Sequence, residues 1–161
     1  MSIYYILVNK DKKEWVDSGD IGLGLKSWVY ETSITPLLGF LMMDEYGFGD
    51  RDDEQYNPNK HIIELDEKEQ NDNFSFYGHW KMDTNIHLVS EHNELYDICH
   101  GLEDQYKYNG YEGSQEDWNK ELKQWVNISI PLAKEWNYRI KYWYEDNPEM
   151  NDWVKQHLYK V

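Results

Sequence analysis

The chain has 161 residues, the expected length of one domain, and a domain of that size can bury a core without a disulfide or a structural metal. Its 31 acidic and 16 basic residues leave a net charge of −15, which repels nucleic acid and anionic membranes and attracts basic partners. The bland reading of the same charge is a solvated surface, or an acidic habit shared across a proteome. Cys99 is the single cysteine, so an internal disulfide is excluded and a reducing compartment is expected.

The N-terminal run Ile3 to Val8 is β-branched and aromatic, which predicts a buried strand. It lacks the basic flank and small-residue cleavage site of a signal peptide and is too short to span a membrane, so a cytoplasmic location is expected. Asn9 to Lys13 is a polar turn, and Glu14-Trp15-Val16-Asp17 alternates as a second strand, giving a first hairpin. Leu25, Trp28 and Val29 follow helical spacing. Thr35 is a candidate cap with Pro36 at the first helical position, and Leu37, Leu38, Phe40, Leu41 and Met42 make that helix apolar nearly all round. Residues 44–73 change in character: eleven acids against three bases carry about half of the net charge, with His61-Ile62-Ile63-Glu64-Leu65 the one short strand pattern. Phe74 to Met82 and Ile86 to Ser90 read as a second hairpin turning at Asp83-Thr84-Asn85. Asn93 can cap a helix through Leu95, Ile98, Cys99 and Leu102. Asn109-Gly110 closes that region. Ser114 opens a capping-box-like start at Ser114-Gln115-Glu116-Asp117, ahead of Trp118, Leu122 and Trp125 on one face. Pro131 starts or kinks a helix in which Leu132, Trp136, Ile140 and Trp143 repeat at four, four and three. Asn147-Pro148 breaks the chain before a last short helix with Trp153, Val154 and Leu158. These elements predict a single α+β domain over residues 1–161. Two β-hairpins form a small antiparallel sheet packed against helices, with an acidic insertion at about 44–73 and a helical C-terminal third at about 114–160.

Tyr4-Tyr5-Ile6-Leu7-Val8-Asn9-Lys10-Asp11-Lys12-Lys13-Glu14-Trp15-Val16-Asp17, followed by Gly22-Leu23-Gly24-Leu25-Lys26-Ser27-Trp28, resembles the opening of a family of small uncharacterised bacterial proteins. That family begins Y-Y-L-V-N-x-x-K-K-E-Y-L-D-P-H-K and continues G-x-G-L-K-x-W-E. Gly78-His79-Trp80 and Asp83 echo its later G-R-W-x-G-D pattern, and Glu94-Leu95-Tyr96-Asp97 echoes its L-Y-E helix. The resemblance covers residues of about 4–30 and 78–98. It departs at three places: Ser18-Gly19-Asp20 stands for P-H-K, Met82 for the glycine before Asp83, and Ser90-Glu91 for a Gly-Asp. The family has no established activity, so the resemblance implies a fold and no chemistry.

The motifs of chemistry are weak. His79, His87, His92 and His100 fall within about twenty residues, and His79 and His87 with Glu91 could ligate zinc if the second hairpin paired Lys81 with His87. Solvent-facing hairpin histidines are the plainer reading, and no H-E-x-x-H or paired-cysteine spacing exists. Asp50-Arg51-Asp52-Asp53-Glu54 lacks the alternating ligands and the turn glycine of a calcium loop. Cys99 sits at an apolar helical position and reads as core rather than nucleophile. No G-x-S-x-G elbow is present, and Gly22-x-Gly24 is too short for a dinucleotide fingerprint. With 31 acids, any carboxylate pair is expected by chance. No cofactor or metal is therefore assigned, and a non-enzymatic role is expected.

The 8 Trp, 14 Tyr and 4 Phe supply a core and leave rings for a surface, where Trp and Tyr serve as binding anchors. Tyr138, Tyr142 and Tyr144 lie partly off the apolar face of their helix, and with Glu135, Glu145, Asp146 and Glu149 they make an acidic, aromatic surface suited to a basic protein. The sequence thus points to an acidic inhibitor. Such a protein covers the basic site of a nuclease or defence effector, as an immunity protein, a phage counter-defence or anti-CRISPR protein, or a DNA mimic does. Asp50, Asp52, Asp53, Glu54, Tyr138, Tyr142, Tyr144 and Glu145 are the candidate contacts, with neither direct nucleic-acid binding nor membrane association expected. The alternative is a small-ligand or nucleotide pocket near Trp15, Trp28 and Trp80.

Overall fold

The computed structural model describes residues 3–24, 34–43, 76–102 and 112–161. The expected helix through Leu25, Trp28 and Val29, the acidic segment at 44–73 with its strand at 61–65, and Asn109-Gly110 lie outside the described residues.

The first hairpin forms as its sequence predicts. Strand β1 (Tyr5–Asn9) pairs antiparallel with β2 (Glu14–Val16) in the register Leu7↔Val16, Val8↔Trp15, Asn9↔Glu14. The buried Asn9 side chain builds the turn. Its Oδ1 accepts from the backbone N–H groups of Asp11 (2.9 Å) and Lys12 (3.1 Å), and its Nδ2 donates to Asp83 (2.7 Å). Strand β3 (Ile86–Ser90) pairs antiparallel with the other side of β1, from Tyr5↔Ser90 to Asn9↔Ile86. A two-residue strand, β4 (Val126–Asn127), pairs parallel with β2. The order is β3-β1-β2-β4, so the fold is α+β with a mixed four-stranded sheet.

The second hairpin does not form. Residues 76–82 are turns folded onto the end of helix α1 (Thr35–Met42). The Gly78 N–H donates to the Phe40 carbonyl (2.8 Å) and the Trp80 N–H to the Leu41 carbonyl (2.9 Å), so this segment satisfies helix-end carbonyls that have no partner within the helix. Gly78 permits the turn. Its φ is 69°, and a Cβ there would stand 2.4 Å from the Met43 carbonyl oxygen. The backbone turns so that Phe76 and Trp80, both fully buried, enter the core. In α1 itself Pro36 lies in the first turn as expected, but Ile34 and not Thr35 is the cap position. Leu37, Phe40 and Leu41 are buried while Met42 is exposed, so the helix is one-sided.

Local start signals in the later chain are met. Helix α2 (Glu94–Cys99) is capped by Asn93, whose side chain accepts from the Leu95 N–H. Helix α3 (Gln115–Leu122) begins at a reciprocal capping box between Ser114 and Asp117. Helix α4 (Ser129–Trp143) is the longest of the described helices, and α5 (Asn151–Gln156) follows a 3-10 turn at Pro148–Met150. Among the described residues no helix is long and apolar enough to cross a membrane.

The alternation of β1 and β2 sends side chains to two separate cores. Leu7 and Val16 join Leu37, Phe40, Phe76, Trp80, Leu132, Trp136 and Ile140 on one face, so α4 shares its core with the N-terminal hairpin. Ile6, Val8 and Trp15 join Val89 and Cys99 on the other. The Trp136 indole N–H donates to the His157 carbonyl (2.8 Å), and Asn137 bonds both the N–H and the carbonyl of Tyr159, which fastens the C-terminus to α4.

Trp80 is fully buried and its indole N–H donates to Glu14 (3.1 Å). Trp80→Ala is expected to cost about 3–5 kcal/mol through cavity formation and the lost bond. A urea or thermal unfolding curve checks this, and an unchanged midpoint would contradict the burial.

Candidate functional site

Strand β2 and the residue after it place two carboxylates on opposite faces of the sheet. Glu14, on the face of Val16, is almost fully buried. His79 Nε2 lies 2.9 Å from both of its oxygens, and the Trp80 indole completes the set. Asp17 projects to the other face. Its Oδ1 accepts from the Gly19 N–H (2.8 Å), its Oδ2 lies 3.0 Å from His100 Nε2, and its own N–H donates to Ser129 Oγ (2.8 Å). One residue thereby joins the 3-10 turn at Ser18–Ile21, helix α2 through His100, and the start of α4.

His100 Nδ1 lies 2.8 Å from the Tyr96 carbonyl oxygen, which can only accept. With Nε2 directed at a carboxylate, both ring nitrogens face acceptors, an arrangement that the doubly protonated imidazolium satisfies. Burial opposes that charge, but the bonds to Asp17 and the Tyr96 carbonyl and the nearby charges of Asp17 and Asp20 outweigh it and raise the pKa. The rings of Trp15 (4.8 Å) and Tyr96 (4.2 Å) flank the imidazole. Burial, Asp17, Glu91 and Asp97 push the Tyr96 phenol up, so it stays neutral. The dyad acts as a fastening: both nitrogens are engaged within the protein.

The remaining sequence candidates fall as follows. Trp15 (6 % exposed) and Trp80 (0 %) belong to different cores, so the structure does not bring them together, and Trp28 lies outside the described residues. The Trp15 indole N–H is buried and has no acceptor among the described residues. His87 pairs across from Val8 rather than Lys81, and its Nε2 meets Asn85 Oδ1 (2.6 Å). His79 is held on Glu14, so the suggested zinc pair is not assembled. Among the described residues no three His, Cys, Asp or Glu side chains converge to hold a metal ion. Burial pushes the Cys99 thiol up to about 12, which keeps it a thiol. Asp50, Asp52, Asp53 and Glu54 lie outside the described residues.

The end of α4 carries the exposed chemistry. Tyr138 and Tyr142 are half-buried and stacked, with centroids 6.2 Å apart and planes 19° apart. Tyr144 meets Trp153 edge-on at 5.4 Å, and Trp153 stacks on His157 at 4.2 Å. Glu145, Asp146, Glu149 and Asp152 are exposed beside them. Glu135 does not belong to this surface. It is fully buried, accepts from the Phe76 N–H (3.1 and 3.2 Å) and faces Arg139 at 3.8 Å. The Arg139 guanidinium lies over the rings of Phe40, Tyr77 and Trp143 at 5.2–5.6 Å. The i,i+4 spacing of Glu135 and Arg139 was the available signal for a buried pair.

No family model, no curated protein and no solved structure matches the chain.

The His100–Asp17 contact makes stability depend on pH. A histidine whose pKa is raised on folding contributes stability that is fully present below the unfolded value of about 6.5 and is lost as pH rises through the folded value. Urea midpoints should therefore decline as pH is raised from about 6 to about 9. Asp17→Asn should remove most of that slope while lowering the midpoint at the acidic end. A slope unaltered by Asp17→Asn would assign it to another group.

Proposed function

We propose that the protein is a non-enzymatic acidic inhibitor that binds a basic, nucleic-acid-acting protein, such as a nuclease or defence effector, in the cytoplasm. The observation that carries this reading is the close association of aromatic anchors with unpaired charge at the end of α4. The stacked Tyr138–Tyr142 pair and the Tyr144–Trp153 contact stand beside exposed Glu145, Asp146, Glu149 and Asp152, on a chain with a net charge of −15. Rings held in place by their neighbours lose little entropy on binding, and carboxylates around them exclude wrong partners and speed encounter. Carboxylates at such a surface stand in for phosphates, which fits a DNA mimic of the immunity or counter-defence type. The acidic run Asp50, Asp52, Asp53 and Glu54 adds to the same field. The alternative of an aromatic ligand pocket receives no comparable support, since Trp15 and Trp80 sit in separate cores.

Immobilised protein should capture basic nucleic-acid-binding proteins from the source cell, and duplex DNA should compete them off. Recovery of only neutral or acidic partners, or capture indifferent to DNA, would count against the reading.

With a captured partner in hand, association should slow at least about tenfold between low and physiological salt, where the Debye length is about 8 Å, while dissociation changes less. The combined substitution Asp50→Asn, Asp52→Asn, Asp53→Asn, Glu54→Gln should slow association. Tyr138→Ala with Tyr142→Ala should instead speed dissociation. An association rate flat across salt removes the electrostatic half of the proposal.

A further inference from the structure

Strand β3 forms one edge of the sheet among the described residues, and its register fixes which backbone groups point outward. The Lys10 N–H donates to the Asn85 carbonyl and the Glu91 N–H to the Tyr4 carbonyl, so Asn85, His87, Val89 and Glu91 turn their polar groups toward β1. Ile86, Leu88 and Ser90 therefore turn theirs away from it. The Ser90 carbonyl is used locally by the Asn93 N–H (3.0 Å), which leaves both groups of Ile86, both groups of Leu88 and the Ser90 N–H facing outward.

Edges of this kind are usually blunted by a charge, a proline, a bulge or shortness. The opposite edge, β4, is only two residues long. Strand β3 runs for five residues, Ile-His-Leu-Val-Ser, pairs with β1 without a bulge, and carries neither Lys, Glu nor Pro. Its central residue, Leu88, is 45 % exposed.

We propose that this edge pairs with the same edge of a second copy, antiparallel about a two-fold axis at Leu88, so that the sheet continues across a homodimer. Such an axis sets Leu88 opposite Leu88 of the second copy and Ile86 opposite its Ser90, giving a ladder of about four hydrogen bonds from the groups left free. The two leucines then lie side by side on the face that β1 presents through Leu7, and their exposed surface is covered. Charge supports this occupant despite the net negative chain. The end of the edge near Asn85 adjoins the turn with Lys10 and Lys12, and Lys81, four residues before Asn85, is exposed, while the Lys13 ammonium turns to the β4 side, toward Glu121 (3.7 Å). Asp83 and Asp11 are the acids there, and Asp83 is already paired with Lys12 (3.1 Å). The other end carries Glu91 and exposed Glu94. Antiparallel pairing brings Glu91 of one copy opposite Asn85 of the other, so each acidic end meets a lysine-rich end.

The test is the mass in solution at physiological ionic strength, by light scattering and sedimentation equilibrium over a wide range of concentration. The wild-type chain should approach twice its 19.6 kDa mass as concentration rises and dissociate on dilution. Leu88→Pro is the discriminating variant. The Leu88 N–H makes no bond to β1, so proline should leave circular dichroism and the melting midpoint close to wild type while raising the dimer dissociation constant at least about tenfold. If that variant does not fold, Leu88→Lys, which changes a half-exposed side chain and sets two ammonium groups together on the axis, carries the same expectation. A wild-type chain that stays at single mass up to its solubility limit overturns the proposal. So does either variant, folded, dimerising as the wild type does.

Discussion

A three-residue strand buried on both faces is the constraint around which the described structure is organised. Strand β2 has no solvent-facing side, so the acids at and just beyond its ends, Glu14 and Asp17, enter cores on opposite faces of the sheet. A buried carboxylate without donors is far too costly to keep. Each recruits an imidazole from far along the chain: Glu14 takes His79, 65 residues on, and Asp17 takes His100, 83 residues on. The first contact helps hold the turns at 76–82 against the sheet, and these turns in turn close the carbonyl end of α1. The second holds α2, while the Asp17 backbone N–H fixes the start of α4 through Ser129. Removing either acid would therefore release more than one element.

The same logic recurs in α4. Glu135 could have been one more solvated acid, but its oxygens take the Phe76 N–H and its neighbour one turn on is Arg139, whose guanidinium is enclosed by aromatic rings. Three acids are thus interior joints, and each ties a helix or turn to a residue distant in sequence. Pairs of this kind contribute less to stability than apolar packing of equal volume would, and their worth lies in specifying which elements meet. That choice of partners is a hypothesis of specificity, and it fits a chain in which unpaired acids are plentiful and any misplaced one would be expensive.

What the sequence disclosed follows from how local each signal is. The first hairpin, the Asn93 cap, the Ser114–Asp117 capping box and the break at Asn147-Pro148 are set by residues within a turn or two of each other, and all are met. The apolar alternation of 74–82 also reads as a strand, because pattern alone does not reveal that Gly78 takes a left-handed φ or that α1 carbonyls await donors. Strand β4 is two residues whose parallel pairing with β2 spans more than a hundred positions, beyond any local pattern. The joints at Glu14, Asp17 and Glu135 were hidden by abundance, since among 31 acids nothing marks three as interior. The clue for two of them was position: Glu14 and Asp17 bracket a Trp-Val pair on a strand, where a solvated acid would be expected on one face only.

The aromatic surplus divides in a way that bears on the proposed function. Trp80, Trp118 and Trp136 are buried with their indole N–H groups satisfied by Glu14, the Leu102 carbonyl and the His157 carbonyl. Phe40 and Phe76 fill the same interior. These buried rings are committed to the interior and cannot also serve as anchors. Of the half-buried rings among the described residues, Tyr138, Tyr142, Tyr144 and Trp153 gather where α4 ends and α5 begins, while Tyr4, Tyr5, Tyr96 and Trp125 lie elsewhere. Charge divides in parallel. Of the buried acids, Glu14 and Asp17 face histidines and Glu135 faces arginine, while exposed carboxylates supply the outward negative field, and four of these stand on the loop and first turn beside those rings. A surface that combines the remaining anchors with unneutralised acids is where a basic partner would gain both contact area and attraction. Four exposed acids and four half-buried rings stand together there, which is why the proposed contact is placed there rather than on either core-lining tryptophan.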